Sequence, residues 1–270
     1  MKLAVLILNW NGLADTRECL LSLLPAPEWA TVYVIDNGSS DDSVRVLSKE
    51  FQDRIRLIET GENLLFAGGN NVGIRTALSE GCDAVLLLNN DTQVEPGTLA
   101  ALADAAERHP ATLLCPKILY SASREVLWYA GGIWSGGRVA HRGIREQDRG
   151  QFDREESTAW GTGCALWIPR DVIETIGVLD RDFRLYSEDV EYCLRARKAG
   201  VTTVYVPAAR VWHKVSAALG GHGTWKKQKR KLASLRLLLR KLDADLPLRL
   251  AAYAHFFVGD PVRALLQKLR

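Results

Sequence analysis

Three short, almost wholly apolar runs, Leu3–Leu8, Thr31–Ile35 and Ala84–Leu88, each stop at a polar turn rich in Asn and Asp. Runs of that length bounded by turn residues read as strands covered on both faces, as in a parallel sheet. The segments about Asp15–Leu24, Asp42–Phe51, Asn70–Glu80 and Pro96–Arg108 suit helices, and the alternation predicts an open, doubly wound α/β sheet. Ligands of such sheets bind outside the carboxyl ends of the strands. Those ends read Asn9-Trp10-Asn11-Gly12, Asp36-Asn37-Gly38-Ser39-Ser40-Asp41 and Asn89-Asn90-Asp91-Thr92. Any one of them serves equally as a turn or a helix cap. Three on one sheet edge point to a binding site.

The 270 residues are enough for one such domain with an appended tail. Cys19, Cys82, Cys115, Cys164 and Cys193 are widely spaced and odd in number, with no C-x-x-C pair. They predict buried small hydrophobes in a reducing cytosol rather than a disulfide framework or zinc site. Six apolar residues after Lys2 are too few for a signal peptide, and no run approaches the roughly 20 residues of a membrane span. The expected location is cytoplasmic. Charge is divided unevenly: Lys214–Arg270 carries 13 Lys/Arg against 3 acids, whereas the remainder has 22 basic and 29 acidic residues. A basic tail on an acidic body suits an anionic partner, membrane or polyanion, and equally a solvated helix face. Lys226, Lys227, Lys229, Arg230 and Lys231 precede an apolar helical stretch, Leu246–Val258, a pairing that suits an interfacial membrane helix. Pro261 permits a last short helix. The Gly- and Arg-rich stretch about Gly131–Gly150 reads as a long loop or hairpin.

Strand one is followed by neither G-x-G-x-x-G nor a P-loop, which disfavours nicotinamide binding and P-loop chemistry. Asp36 at a strand end can accept hydrogen bonds from a ribose or base. Gly68-Gly69, read as a helix start, would let the backbone approach a phosphate, or would form a tight turn capped by Asn70. Asp91 is placed to hold Mg²⁺ or Mn²⁺, or to cap the helix near Pro96. Glu188 and Asp189 open a helix, where carboxylates favourably meet the helix dipole; one of them could instead deprotonate a hydroxyl. His213 becomes a metal or phosphate contact only if the chain returns to Asp91.

Together these blocks resemble family 2 of the inverting glycosyltransferases, with the GT-A fold, and most of all its rhamnosyltransferase-like branch. The resemblance runs in order from Leu8-Asn9-Trp10-Asn11-Gly12, Ile35 to Asp41, Asn63 to Gly73 and Leu88-Asn89-Asn90-Asp91 to Gly161-Thr162-Gly163-Cys164, Tyr186 to Glu191 and His213 to Ser216. It implies that Asn9, Asn11, Asp36, Asn37, Gly69, Asn70, Asn90 and Asp91 bind a nucleotide-diphosphate sugar. Asp91 and His213 would hold the divalent metal. Asp189 would be the base with Glu188 assisting or binding acceptor, and Gly161, Thr162 and Gly163 would lie on the acceptor side. The first aspartate of the family's D-x-D signature is Asn89 here, which can donate to phosphate or offer a carbonyl oxygen but brings no charge. The Q-x-x-R-W signature of processive synthases is missing, which implies one sugar per acceptor. Residues 1–222 are expected to form the catalytic domain and 223–270 a basic amphipathic helical extension. The implied acceptor is a saccharide, lipid-linked or free, at the cytoplasmic face of a membrane, with no nucleic-acid partner. The rivals are a sugar nucleotidyltransferase, which would carry a Gly-rich basic loop after strand one, and a non-catalytic sugar- or partner-binding module, which would show no turnover.

Overall fold

The computed structural model of the chain describes residues 1–215 and 225–259. The apolar runs are β1 (Leu3–Asn9), β2 (Ala30–Asp36) and, after β3 (Arg56–Glu59), β4 (Ala84–Asn89). Between them lie α1 (Leu13–Leu23), α2 (Ser43–Phe51) and α3 (Leu65–Ser79), and the short β5 (Thr92–Val94) leads into α4 (Thr98–Arg108). β1 is parallel to both neighbours, with Asn9 opposite Asp36 and Leu8 opposite Asn89. That register brings the three polar strand ends to one edge.

The second half contains β6 (Leu113–Tyr120), β7 (Ser123–Tyr129), β8 (Gly132–Ser135), β9 (Arg138–His141), β10 (Glu156–Thr158) and β11 (Ala165–Pro169). After these come α5 (Arg170–Ile176), α6 (Glu188–Lys198) and β12 (Thr203–His213). The main sheet has the order β10-β12-β6-β11-β4-β1-β2-β3, with β5 added to β12 and β7 to β6. It is more mixed than a mostly parallel sheet. The parallel ladders are β3-β2-β1-β4 and β12-β6, while β11 runs antiparallel to β4 and to β6. β11 is reached from β6 through the strands β7 to β10 and a short irregular connection, not a helical crossover, so nothing forces it parallel. Its residues are nearly all buried, like those of a parallel strand, and composition cannot tell the two apart.

The Gly131–Gly150 stretch contains the β8–β9 hairpin. Gly136 and Gly137 at its tip both have positive φ, as a two-residue turn matching strand twist demands. The loop beyond it is tied to the sheet by Lys117, wholly buried, which donates to Asp148 at 2.8 Å and to Asp153. All five cysteines are buried and free.

The described part of the basic extension is α7 (Trp225–Lys241) and α8 (Leu246–Ala254). Leu238 of α7 joins the main core, and Leu235, Leu239, Ala244 and Ala252 form a second cluster against Trp134 of β8. The boundary at residues 222 and 223 and the helix expected after Pro261 lie outside the described residues. No helix among the described residues is long and apolar enough to cross a membrane.

α3 begins at Leu65, five residues before the expected start, so Gly68 and Gly69 lie inside the helix. Gly69 is there for packing: a Cβ would sit 2.4 Å from Leu8 Cδ1 and 3.1 Å from Asn37 Oδ1. Two residues on, the Asn71 amide clamps the backbone of Leu179, donating to its carbonyl at 2.8 Å and accepting from its N–H at 3.0 Å. This buried clamp sets the path of the segment that leads to α6. Asn71→Ala would strand both backbone groups. The expected cost is about 2 kcal/mol, seen as a fall of roughly 5 °C in the melting temperature by calorimetry.

Candidate active site

The carboxyl edge of β1 and β2 is a closed hydrogen-bond network. Asn9 donates from Nδ2 to Asp36 at 2.8 Å and to Ser39 Oγ at 3.1 Å, and its Oδ1 accepts from Thr16 Oγ1 at 2.7 Å. The other oxygen of Asp36 accepts from the Ser39 N–H at 2.8 Å. Asn9 and Asp36 are buried and their polar atoms are engaged inside the protein, so they brace the turn rather than line it. Asn11, exposed and with φ of 49°, accepts the N–H groups of Ser40 and Asp41. Asn37 is buried as well: its Oδ1 accepts from Leu64 N–H at 3.0 Å and its Nδ2 donates to Asn63. Trp10, between these anchors, is 55% exposed. It is a flat apolar surface held on a rigid turn, and the sequence reading passed over it.

Asn70 is buried and donates to the carbonyl of Phe66 within its own helix. Asn90 donates to Thr16 Oγ1 at 3.0 Å, which joins the end of β4 to the Asn9 network.

β12 returns the chain to Asp91. Its last residue, His213, pairs with Thr92 of β5, and His213 Nε2 lies 3.0 Å from Asp91 Oδ1. Both are largely buried. Lys214 N–H donates to the Asp91 carbonyl at 2.9 Å, while the Lys214 ammonium pairs with Asp15 and Glu18. The edge of Trp128 and the His213 ring meet in a T-shaped contact with centroids 4.6 Å apart. His213 Nδ1 is buried with no hydrogen-bond partner among the described residues.

The other half of the site depends on β11. Ala165 pairs antiparallel with Leu88, and the Asn89 N–H donates to the Cys164 carbonyl at 2.9 Å. One residue earlier, the Gly163 N–H donates to Asp189 Oδ2 at 2.8 Å. Gly161, Thr162 and Gly163 are buried, so they form the seat of Asp189 more than an open wall. Burial, and then the charges of Asp91, Cys19 and Asp189, raise the Cys164 thiol well above its usual value, so both carboxylates act electrostatically on that thiol.

Asp189 also accepts the N–H of Val190 at 2.8 Å. Burial raises its carboxyl from the ordinary value, opposed by the N–H groups of Gly163 and Val190 and by Thr162. Glu188 is less well held. It is 8% exposed, and its Oε2 has no partner among the described residues. Burial and then the charge of Asp189 push it up to about 8. At neutral pH the pair therefore divides its roles: Glu188 retains a proton, and the anchored Asp189 is the better candidate for the anion. Tyr186 and Ser187, just before α6, have φ of 73° and 69°. Such left-handed residues without glycine are costly and cluster at working segments.

Among the described residues no cluster of three or more His, Cys, Asp or Glu side chains could hold a metal ion. Asp91, in the turn between β4 and β5, and His213, at the end of β12, nevertheless supply one oxygen and one nitrogen donor converging at hydrogen-bond distance. That pair fits a divalent ion completed by phosphate oxygens, as Mg²⁺ and Mn²⁺ sites in nucleotide enzymes commonly are. The signal for the missed Asn71 was present in the sequence, because Asn inside an amphipathic helix must offset its poor propensity with a partner. Ser39 and Thr16 carried no such mark.

The family model for Glycosyl transferase family 2 matches residues 4–177. A hexosyltransferase of low-salt glycan biosynthesis, Agl10 of Haloferax volcanii, is 27% identical over 201 residues, 74% of this chain and 62% of its own length. The N-acetylglucosaminyl-diphospho-decaprenol L-rhamnosyltransferase of Mycobacterium tuberculosis is 30% identical over 244 residues, 81% of this chain and 78% of its own. Among solved structures, GalNAc-T7 with UDP, GalNAc and Mn²⁺ superposes with a TM-score of 0.69 at 14% identity, over 87% of this chain and 48% of that one. This chain thus spans less than two thirds of the hexosyltransferase and about half of GalNAc-T7. The sheet order, the carboxyl-edge site and the matched family model agree: the chain has the GT-A fold and belongs to glycosyl transferase family 2.

Proposed function

We propose that this chain is a metal-dependent, inverting glycosyltransferase that moves one sugar from a nucleotide-diphosphate sugar to an acceptor hydroxyl. The favoured donor is dTDP-rhamnose and the favoured acceptor a saccharide, lipid-linked at the cytoplasmic face of a membrane, in cell-surface polysaccharide or cell-wall synthesis. The observation that carries the reading is the path that links the two pairs: Asp91 beside His213 follows β4, whose Asn89 N–H bonds the Cys164 carbonyl, and the adjacent Gly163 N–H holds Asp189. The rhamnosyl choice rests on the resemblance of the motif blocks and on the name of the mycobacterial relative.

In this reading the turn braced by Asn9, Asp36, Asn37 and Asn11 receives the nucleoside, with Trp10 as its apolar floor. Gly69 and Asn70 shape the donor pocket from below, and Asn90 joins it to the diphosphate end. Asp91 and His213 hold the divalent cation, which when bound neutralises charge on the diphosphate leaving group. Asp189 Oδ takes the proton of the acceptor hydroxyl as its oxygen forms the new bond to the anomeric carbon. The bond to the nucleoside diphosphate breaks on the opposite face, which inverts the configuration. Gly161, Thr162 and Gly163 keep Asp189 oriented toward the acceptor. Glu188, neutral, can donate a hydrogen bond to the acceptor without repelling Asp189. Residues 223–270 work as an extension of the 1–222 catalytic unit.

Three measurements test this. Asp189→Asn should keep dTDP affinity within about twofold by calorimetry and lower rhamnosyl transfer by roughly 10²–10⁴-fold; near-normal turnover would remove Asp189 as the base. Titration of dTDP, UDP and GDP with Mn²⁺ should give tight binding of one of them that chelator or Asp91→Asn weakens by about tenfold or more. Binding indifferent to metal would remove Asp91 and return the non-catalytic module. The third concerns Glu188, whose folded-state affinity for its proton is raised above that of the unfolded chain. Its contribution is then fully present below the unfolded carboxyl range and is lost as pH rises through about 8. Glu188→Gln, which mimics the neutral acid, should therefore gain in melting temperature over the wild type as pH increases from 5 to 9. Parallel curves would show that Glu188 is ionised throughout.

A further inference from the structure

The exposed apolar side chains of this protein are not scattered. Four of its large ones, Leu246, Leu250, Phe257 and Val258, fall on α8 and the helical turn His255–Gly259 that prolongs it, each between 59% and 66% exposed. Positions 246, 250 and 257 share one helical stripe. The opposite face is already used, since Leu248, Ala252 and Phe256 pack with Leu235, Leu239, Ala244 and Trp134, and of the stripe itself only Tyr253 reaches that cluster. The apolar stripe is therefore surplus to folding.

α7 has the complementary arrangement. Its inner face buries Leu235, Leu238 and Leu239, and its outer face carries exposed Lys229, Arg236 and Arg240. From Lys229 to Lys241 there are six basic residues and no acid, of which Lys241 is ion-paired with Asp180 and Asp182 of the catalytic body. Asp245, in the turn between the helices, is occupied as the cap of α8 and accepts the Leu248 N–H at 2.9 Å. Two helices joined by a short turn thus turn an apolar stripe and a cationic face away from the cluster they share. A second copy of the chain would set like charges against each other beside that stripe. An anionic bilayer takes both at once, apolar side chains at the acyl boundary and cations among the phosphates.

We propose that α7 and α8 form an interfacial membrane-docking surface in which Leu246, Leu250, Phe257 and Val258 enter an anionic bilayer while Arg236 and Arg240 meet its headgroups. This deepens, and rests on, the reading of a lipid-linked acceptor. The surface is fastened to the catalytic segment: Ser234 of α7 donates to the Tyr186 carbonyl, and Lys231 Nζ lies 6.0 Å from the Tyr186 ring centroid. Tyr186 is two residues before Glu188. Docking would thus hold the catalytic carboxylates at a set height above the lipid surface.

The test is flotation of the full chain with phosphatidylcholine vesicles, with and without phosphatidylglycerol. The protein should float with the anionic vesicles, and recovery should fall as salt rises from about 0.1 M to about 1 M, where the screening length shrinks from about 10 Å to about 3 Å. The double variant Leu250→Glu/Phe257→Glu should partition about tenfold more weakly or worse, and so should Arg236→Glu/Arg240→Glu. Both should keep the wild-type melting temperature and dTDP affinity, which shows that the fold and the donor site are intact. Equal recovery with and without anionic lipid, or unchanged partitioning of both variants, would overturn the proposal. So would a dimer in sedimentation that the apolar double variant dissolves while vesicles capture nothing. If the vesicles bind and no nucleotide does, the donor reading fails and the docking surface stands.

Discussion

The antiparallel ladder between β4 and β11 positions both halves of the site. β4 ends in Asn89, two residues before Asp91, and β11 begins just after Gly163, whose N–H holds Asp189. With Leu88 opposite Ala165, the segment that leads to Asp91 and the Gly163 N–H that holds Asp189 come to the same end of the β4–β11 pair. A slip of one residue would turn every side chain of β11 to the other face. Both faces of these strands are buried, with Leu86, Leu87, Leu166 and Trp167 all essentially inaccessible to solvent, so the register is held by side-chain volume, above all that of Trp167. Core packing thus sets the geometry of the candidate site here through strand register, and the polar residues inherit their positions from it.

The two ends of the site differ in mechanical character. The end at β1 and β2 is a saturated network in which Asn9, Asp36, Ser39 and Thr16 satisfy one another, so it keeps its shape without a ligand. The carboxylate end is held against strain. Tyr186 and Ser187 in the left-handed region cost of order 1–3 kcal/mol each, and the buried Glu188 oxygen adds a desolvation cost. Several ties offset this. Arg195 pairs with Glu191 at 2.8 Å and donates to the carbonyls of Ile176 and Val178, Asn71 clamps Leu179, and Ser234 reaches Tyr186 from α7. The basic extension therefore has a second role beside any contact with a partner: it helps hold the working loop in its costly conformation.

How much of this could be read from the sequence depended on the range of the interaction. The strands and their polar ends were legible because burial on both faces leaves a short, wholly apolar run, and the ordered motif blocks placed Asp91, Asp189 and His213 in one family pattern. That His213 lies beside Asp91 was conditional in the sequence, since it needs β12 to pair with β5 across more than a hundred residues. The direction of β11 was not legible, because a buried strand looks alike in either sense. The paired glycines were misread for a local reason. α3 starts on a left-handed Leu65 with Asn63 accepting its N–H at 2.8 Å, a helix start without the usual capping residue at its expected place. Gly68 and Gly69 then fall inside the helix, where contact with Leu8 and Asn37 explains Gly69 better than a phosphate would.

The charge balance at Asp91 bears on how the departure at Asn89 should be understood. A carboxylate facing a diphosphate is repulsive unless a cation lies between them. As a metal ligand His213 would bring no charge, and the nearby Lys214 ammonium is spent on Asp15 and Glu18. On the reading proposed above, the divalent ion supplies the positive charge. With Asn at 89 the protein presents one carboxylate fewer, so it binds a free ion less strongly and leaves the diphosphate a larger share of the coordination. The ion would then enter with the nucleotide and leave with it, as a property of the ternary complex. On the same reading, Asn89 leaves one like charge fewer in a region that would accept a dianionic leaving group, which would trade affinity for bare metal against tolerance of the charge that builds up as the sugar departs.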